Sequence, residues 1–149
     1  MRAKHRRLPL AAAGAAGAAL LLTAGCGPVD VTRARLEAQV GPTFRNMYVL
    51  QQRLLGHTEL AVPARTSMAS CIKGSASTPD QGPGDWTCQV HWPAADGRLQ
   101  TLSYDVKVQP VGCYTAQGPA LLVGAQYLHA VDGRTVPNPL YEFDGCLRL

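Results

Sequence analysis

At about Thr66 the spacing of the apolar residues changes from threes and fours to twos, so the chain divides into a helical part and a sheet part. Upstream, Leu36, Val40, Phe44, Met47, Tyr48, Leu54 and Leu55 share one helical face. Arg33, Arg35, Glu37, Arg45 and Gln52 fall mainly off that stripe. Asp30 is placed to cap a helix that begins at Val31. Gly41-Pro42 interrupts the run, because an internal proline lacks the N–H donor and crowds the preceding turn. The expectation is a helix over about residues 43–55, stopped by Gly56, with a shorter helical segment before it.

Downstream, Met68, Ser70 and Ile72 alternate with Ala69, Cys71 and Lys73. A loop of Gly, Ser, Pro and Asp follows from Gly74 to Asp85. Trp86, Cys88, Val90 and Trp92 then alternate with Thr87, Gln89 and His91, the pattern of a half-buried strand. Asp96-Gly97 predicts a turn, and Leu102, Tyr104, Val106 and Val108 predict the next strand. Pro119 to Val131 is less regular, with a strand expected around Ala125–Val131. Asp132-Gly133 turns the chain into a short strand at Arg134. Pro137 and Pro139 leave the tail as an edge or irregular segment, pinned by Cys146. A helix followed by an antiparallel meander is an α+β layer, the helix covering one face of the sheet.

The first residues carry a different signal. Arg2, Lys4, Arg6 and Arg7 precede a charge-free run from Leu8 to Ala24, which ends in Leu20-Leu21-Leu22 and the small residues Thr23-Ala24-Gly25. A basic flank, an apolar run and a small-residue cleavage site describe an export signal. The stretch Leu22-Thr23-Ala24-Gly25-Cys26 resembles the lipobox of bacterial lipoproteins. Thr23 stands where the usual pattern favours Leu. The resemblance implies that residues 1–25 are removed and that a diacylglycerol is joined to the Cys26 sulfur. It also implies a membrane partner through that lipid, at the extracytoplasmic face of the cell membrane. Residues 26–30 would then be a short tether spanning at most about 14 Å, and residues 31–149 one exported domain. Arg6-Arg7 also fits a twin-arginine export signal. Disulfides in the domain favour export of the unfolded chain instead.

Of 14 Lys and Arg, four lie in the leader, leaving ten against ten Asp and Glu. The basic pI therefore belongs to the leader, and nothing in the domain suggests a nucleic-acid partner. With Cys26 taken by lipid, Cys71, Cys88, Cys113 and Cys146 remain, enough for two disulfides. Pairing Cys71 with Cys88 and Cys113 with Cys146 closes the most local loops. Metal-binding spacings such as C-x-x-C are absent, so the cysteines read as staples and no cofactor beyond the lipid is expected.

No G-x-S-x-G or phosphate loop occurs. His57 sits at a helix end, and His91 and His129 lie on polar strand faces. The pairs Asp80/Asp85 and Glu142/Asp144 flank ordinary turn residues, and Ser67 and Ser70 flank a strand start. Aromatic residues are the stronger candidates. Trp86 and Trp92 share a strand face and are either both core, or Trp92 is an exposed anchor for a protein or glycan. Tyr114, Tyr141 and Phe143 would be gathered by the Cys113–Cys146 link, as a recognition patch or as a satellite core.

In outline the domain resembles small secreted inhibitor-like and cystatin-like domains, and small exported lipoprotein domains of unknown function. The expectation is a non-enzymatic, membrane-anchored binding or adaptor domain meeting an envelope protein or glycan. The alternatives are an inhibitor or protective factor for a cell-surface enzyme, and, less favoured, a cell-envelope enzyme.

Overall fold

A computed structural model describes residues 29–57, 59, 66–74, 79–93 and 96–147. The leader, Cys26 and the first part of the tether lie outside the described residues. The chain enters in extended form. The Val31 carbonyl accepts from Gly82 N–H at 2.7 Å, and Thr32 bridges to Gln81. That pairing moves the helix start two residues beyond the expected position. Thr32, not Asp30, is the cap, its hydroxyl accepting from Arg35 N–H at 3.3 Å.

Helix α1 then runs unbroken over Arg33–Leu54, so the break expected at Gly41-Pro42 does not occur. Three side chains on its inner stripe, Leu36, Val40 and Phe44, are 0% exposed. At about 1.5–3 kcal/mol for each such burial, the stripe outweighs a proline cost of about 3 kcal/mol. Beside the proline, the Thr43 hydroxyl donates to the Gln39 carbonyl at 2.8 Å. Gly41 is the point of closest approach to the sheet: a Cβ there would stand 2.8 Å from the Ser67 carbonyl oxygen. The helix ends as expected. Gly56 takes φ 81°, its N–H reaches Arg53 O at 3.1 Å, and His57 N–H reaches Gln52 O at 2.8 Å. These two bonds close the left-handed glycine cap that satisfies the last carbonyls.

Strands β1 (Met68–Lys73), β2 (Gly84–Pro93), β3 (Leu99–Val108) and β4 (Cys113–Gln117) follow in order. After a one-turn helix α2 (Ala120–Val123) and a hairpin of β5 (Tyr127–His129) and β6 (Thr135–Pro137), strand β7 (Glu142–Cys146) returns. The main sheet is antiparallel with order β1-β2-β3-β4-β7. The strand expected around residues 125–131 therefore exists only as β5, outside the main sheet. The tail is a true edge strand, paired to β4 along its length.

Trp86, Cys88, Val90, Trp92, Leu102, Tyr104, Val106, Val108, Tyr114, Ala116 and Phe143 form the buried face of the sheet, against α1. The outer face carries Thr87, Gln89, His91, Ser103, Asp105 and Lys107, as a sheet covered on one side should. The other edge, β1, lies beside α1, where Glu37 Oε1 accepts from Cys71 N–H at 2.8 Å and occupies an edge donor.

Both expected disulfides are present, Cys71–Cys88 and Cys113–Cys146. Each joins residues directly opposite in neighbouring strands, with Cα separations of 4.1 and 3.9 Å. They lie on opposite faces. Cys71 and Cys88 are buried beneath α1, whereas Cys113 is half-buried and Cys146 exposed on the outer face.

Candidate functional site

The aromatic residues that suggested a surface are mostly core. Trp92 is 8% exposed, with Phe44 and Tyr48 at ring-centroid distances of 4.9 and 5.8 Å. Phe143 packs on Tyr104 at 5.1 Å, and Tyr114 is buried with its hydroxyl donating to Thr43 Oγ1 at 3.0 Å. The idea of an exposed Trp92 anchor and of a Tyr114–Phe143 recognition patch is thus corrected, with only Tyr141 half-buried. The physical reason is parity: Trp92, Tyr114 and Phe143 all project to the side that α1 covers. Burial pushes the Tyr104 and Tyr114 hydroxyls to higher pKa.

The polar candidates stay dispersed. His91 Nδ1 meets Thr101 Oγ1 at 2.9 Å and His129 Nδ1 meets Thr135 Oγ1 at 3.1 Å, each a cross-strand pair at the surface. Asp80 pairs with Arg33, and Asp144 accepts from the Thr115 hydroxyl at 2.6 Å. No group of three His, Cys, Asp or Glu among the described residues is arranged to hold a metal ion. The outer face of the sheet forms an open trough of about 540 Å³ between Asp85, Thr87, Asp105, Lys107, Thr115 and Gln117. Most of its walls are outward-facing strand residues, completed by Gly74, Trp86 and Val106.

The unusual chemistry is on the inner side, at the end of the sheet where β2 finishes and β3 begins. The buried polar residues among those described are Gln51, Gln52 and Asn138, and all three are joined. Gln52 Nε2 donates to Gln51 Oε1 at 3.2 Å, and Gln51 Nε2 donates to Asn138 Oδ1 at 2.8 Å. Asn138 Nδ2 in turn donates to the Val123 and Ala125 carbonyls, both at 2.9 Å. Asn138 has a structural task, since it closes the end of α2 and accepts from Leu140 N–H at 3.1 Å. The glutamines tie α1 to the same segment, Gln51 Nε2 reaching the Val123 carbonyl as well at 3.5 Å. They line a cavity of about 340 Å³ with Tyr48, Trp92, Gln100 and Leu122.

Trp92 adds a second anomaly there. Its Nε1 is the one buried side-chain polar atom among the described residues without a hydrogen-bond partner. An unpartnered buried donor costs about 1–3 kcal/mol. Among the described residues, no Asp, Glu, Lys or Arg lines the cavity. Its chemistry is three primary amides, Tyr48, and apolar walls from Leu102, Val123 and Leu140, while the Thr101 hydroxyl is engaged with His91 on the outer face. Leu121, 100% exposed, and Leu122, 70% exposed, stand on α2 beside it.

Gln52, expected off the helical stripe, is buried, and Gln51 beside it is a residue the sequence pattern did not single out, though a signal was present. Gln51 and Gln52 follow Phe44 and Tyr48 at helical spacing, so the two amides occupy positions where leucine would ordinarily stand. In comparison with known proteins, no family model, curated protein or solved structure matches the chain.

Proposed function

We propose that this chain is a lipid-anchored, extracytoplasmic binding protein, and that its ligand is a neutral molecule taken into the cavity beside Trp92. One observation carries the binding reading: the buried amides of Gln51 and Gln52 stand together with Trp92 in the wall of one cavity, with no Asp, Glu, Lys or Arg among its described lining residues. A volume of about 340 Å³ lies at the small end of the range for ligand pockets. Amides select hydrogen-bonding groups, and the lack of charge among the described lining residues disfavours anions and cations. The lipobox-like Leu22–Cys26 stretch and the cross-strand disulfides support the anchored, exported part of the reading.

The inhibitor reading, which needs a protruding Gly74–Asp85 loop, is weaker. Its described half is fastened to the body: Arg33 N–H donates to Asp80 O at 3.2 Å, Lys73 Nζ to Gln81 O at 2.8 Å, and Trp86 Nε1 to Gly82 O at 3.3 Å. Residues 75–78 lie outside the described residues. The enzyme reading has, among the described residues, only the surface pairs of His91 with Thr101 and of His129 with Thr135 to offer as a base beside a hydroxyl.

Two measurements test the proposal. With Trp86 changed to Phe, Trp92 is the sole tryptophan and reports on the cavity. Titration with neutral envelope sugars, N-acetylglucosamine and its oligomers first, should change its emission saturably, and Gln52→Leu should abolish the change. Emission unaffected by every neutral envelope probe would sink the binding site. Detergent phase partition tests the anchor: wild type should enter the detergent phase and Cys26→Ser the aqueous phase. Equal partition of the two would remove the lipid.

A further inference from the structure

We infer that the β3–β4 turn, Gln109-Pro110-Val111-Gly112, is the point at which the domain rests on the lipid surface, an inference that depends on Cys26 carrying the lipid. The argument begins with where the described chain starts. Val29 is only three residues from Cys26 and already packs against the core. It sits on Gly112, where a Cβ would come within 2.8 Å of both Val29 Cβ and Cγ1. Gly112 has φ 80°, and its N–H closes the turn onto Gln109 O at 2.9 Å. On the other side, Val31 and Thr32 are bonded to Gly82 and Gln81. The entry point of the chain is therefore fixed, held between two loops at one end of the sheet.

Three residues span at most about 11 Å. The interfacial layer of one leaflet is about 5–8 Å deep, from the difference between whole-bilayer and hydrocarbon thickness. With its acyl chains in the hydrocarbon, Cys26 leaves only a few ångströms between Val29 and the headgroups. The neighbouring turn must then meet that layer. Its tip suits the place: Val111 is 64% exposed, and Pro110 beside it is also exposed. The opposite end of β3, ten residues away, lies about 30 Å along the strand. That far end holds Gln100 and the cavity beside Trp92, which consequently faces away from the membrane.

The test uses the full lipidated chain in vesicles of phosphatidylethanolamine and phosphatidylglycerol containing brominated acyl chains. Val111→Trp places a fluorophore at the turn, and Arg98→Trp places one at the far hairpin. Val111→Trp should show a blue shift and bromolipid quenching, while Arg98→Trp should show neither. Amide exchange of the unsubstituted protein gives an independent readout, with protection on vesicles expected at residues 109–112 and not at 96–99. Equal quenching of the two variants, or no added protection at the turn, with Cys26 lipid confirmed by peptide mass, overturns the orientation. Absence of lipid on Cys26 overturns the reading beneath it.

Discussion

Mild reduction should open the two disulfides one at a time, the outer one first. A thiolate must reach a sulfur from outside, and Cys146 is exposed at the sheet edge with Cys113 half-buried beside it. Cys71 and Cys88 are both 0% exposed under α1, so attack there requires the helix to lift from β1. The chain-entropy model assigns about 3.7 kcal/mol to a loop of 33 residues and about 3.1 kcal/mol to one of 17. Opening the outer bond alone thus removes a large share of the ~5–15 kcal/mol typical of a domain. The β4–β7 pairing remains, because Phe143 still packs on Tyr104. With a urea dependence of about 1–3 kcal/mol per molar, the unfolding midpoint should fall by roughly 1–4 M. The assay is limited dithiothreitol treatment, alkylation, peptide mass mapping and urea titration of the partly reduced protein. Alkylation of Cys71 and Cys88 before or together with Cys113 and Cys146 would refute the burial argument. An unchanged midpoint after selective opening would refute the magnitude.

Two further outcomes follow from buried groups. Tyr104 and Tyr114 have raised pKa values because burial disfavours the phenolate. The neutral form is the one the fold prefers, so their contribution is complete below the unfolded tyrosine value of about 10 and declines as pH rises above it. Stability measured by urea titration should therefore fall from about pH 10 upward, while ultraviolet absorbance shows these two rings ionising late; normal ionisation of every tyrosine in the folded state would contradict it. Gly145→Ala should destabilise by about 1–3 kcal/mol, since the new methyl would overlap the Tyr114 hydroxyl across β4 and β7. A midpoint equal to wild type would mean that β7 is free to shift.

The parts of the fold legible in the sequence are those in which side chains repeat without exception. Trp86–Trp92 and Leu102–Val108 each place four alternating side chains inward, and these became β2 and β3. Gly56 stopped the helix because only its left-handed φ lets the last N–H groups turn back. Pro42 misled because its local cost is visible in the sequence, while the compensating burial of Leu36, Val40 and Phe44 against a distant sheet is not. Strands β4 and β7 were obscure for a related reason. Their inward positions alternate large with small, Tyr114 with Ala116 and Phe143 with Gly145, because Gly145 makes room for the Tyr114 ring. Such complementarity has no period. The candidate site was hidden by the opposite effect: the polarity of Gln52 sets it off the stripe in the sequence, and Gln51 carries no apolar signal, although both stand on the buried side of the helix.

A polar cavity and a small core pull against each other, and Trp92 is where the two demands can be weighed. Were stability the only requirement, the site would hold leucine and phenylalanine in place of two glutamines and an indole with no acceptor. Trp92→Phe removes the unpartnered donor, a relief of about 1–3 kcal/mol. It also leaves a small void, a loss of about 1 kcal/mol at ~24 cal/mol per Å³. The balance lies between zero and a gain of about 2 kcal/mol, so the variant should be no less stable than wild type. Its ligand response, read by thermal shift because the reporter is gone, should nevertheless disappear. If Trp92→Phe instead lost several kcal/mol, the indole would be core packing and the cavity an accident of it. Stability kept with binding lost would mean that the unpartnered donor is maintained for the ligand, since the fold itself gains nothing from it.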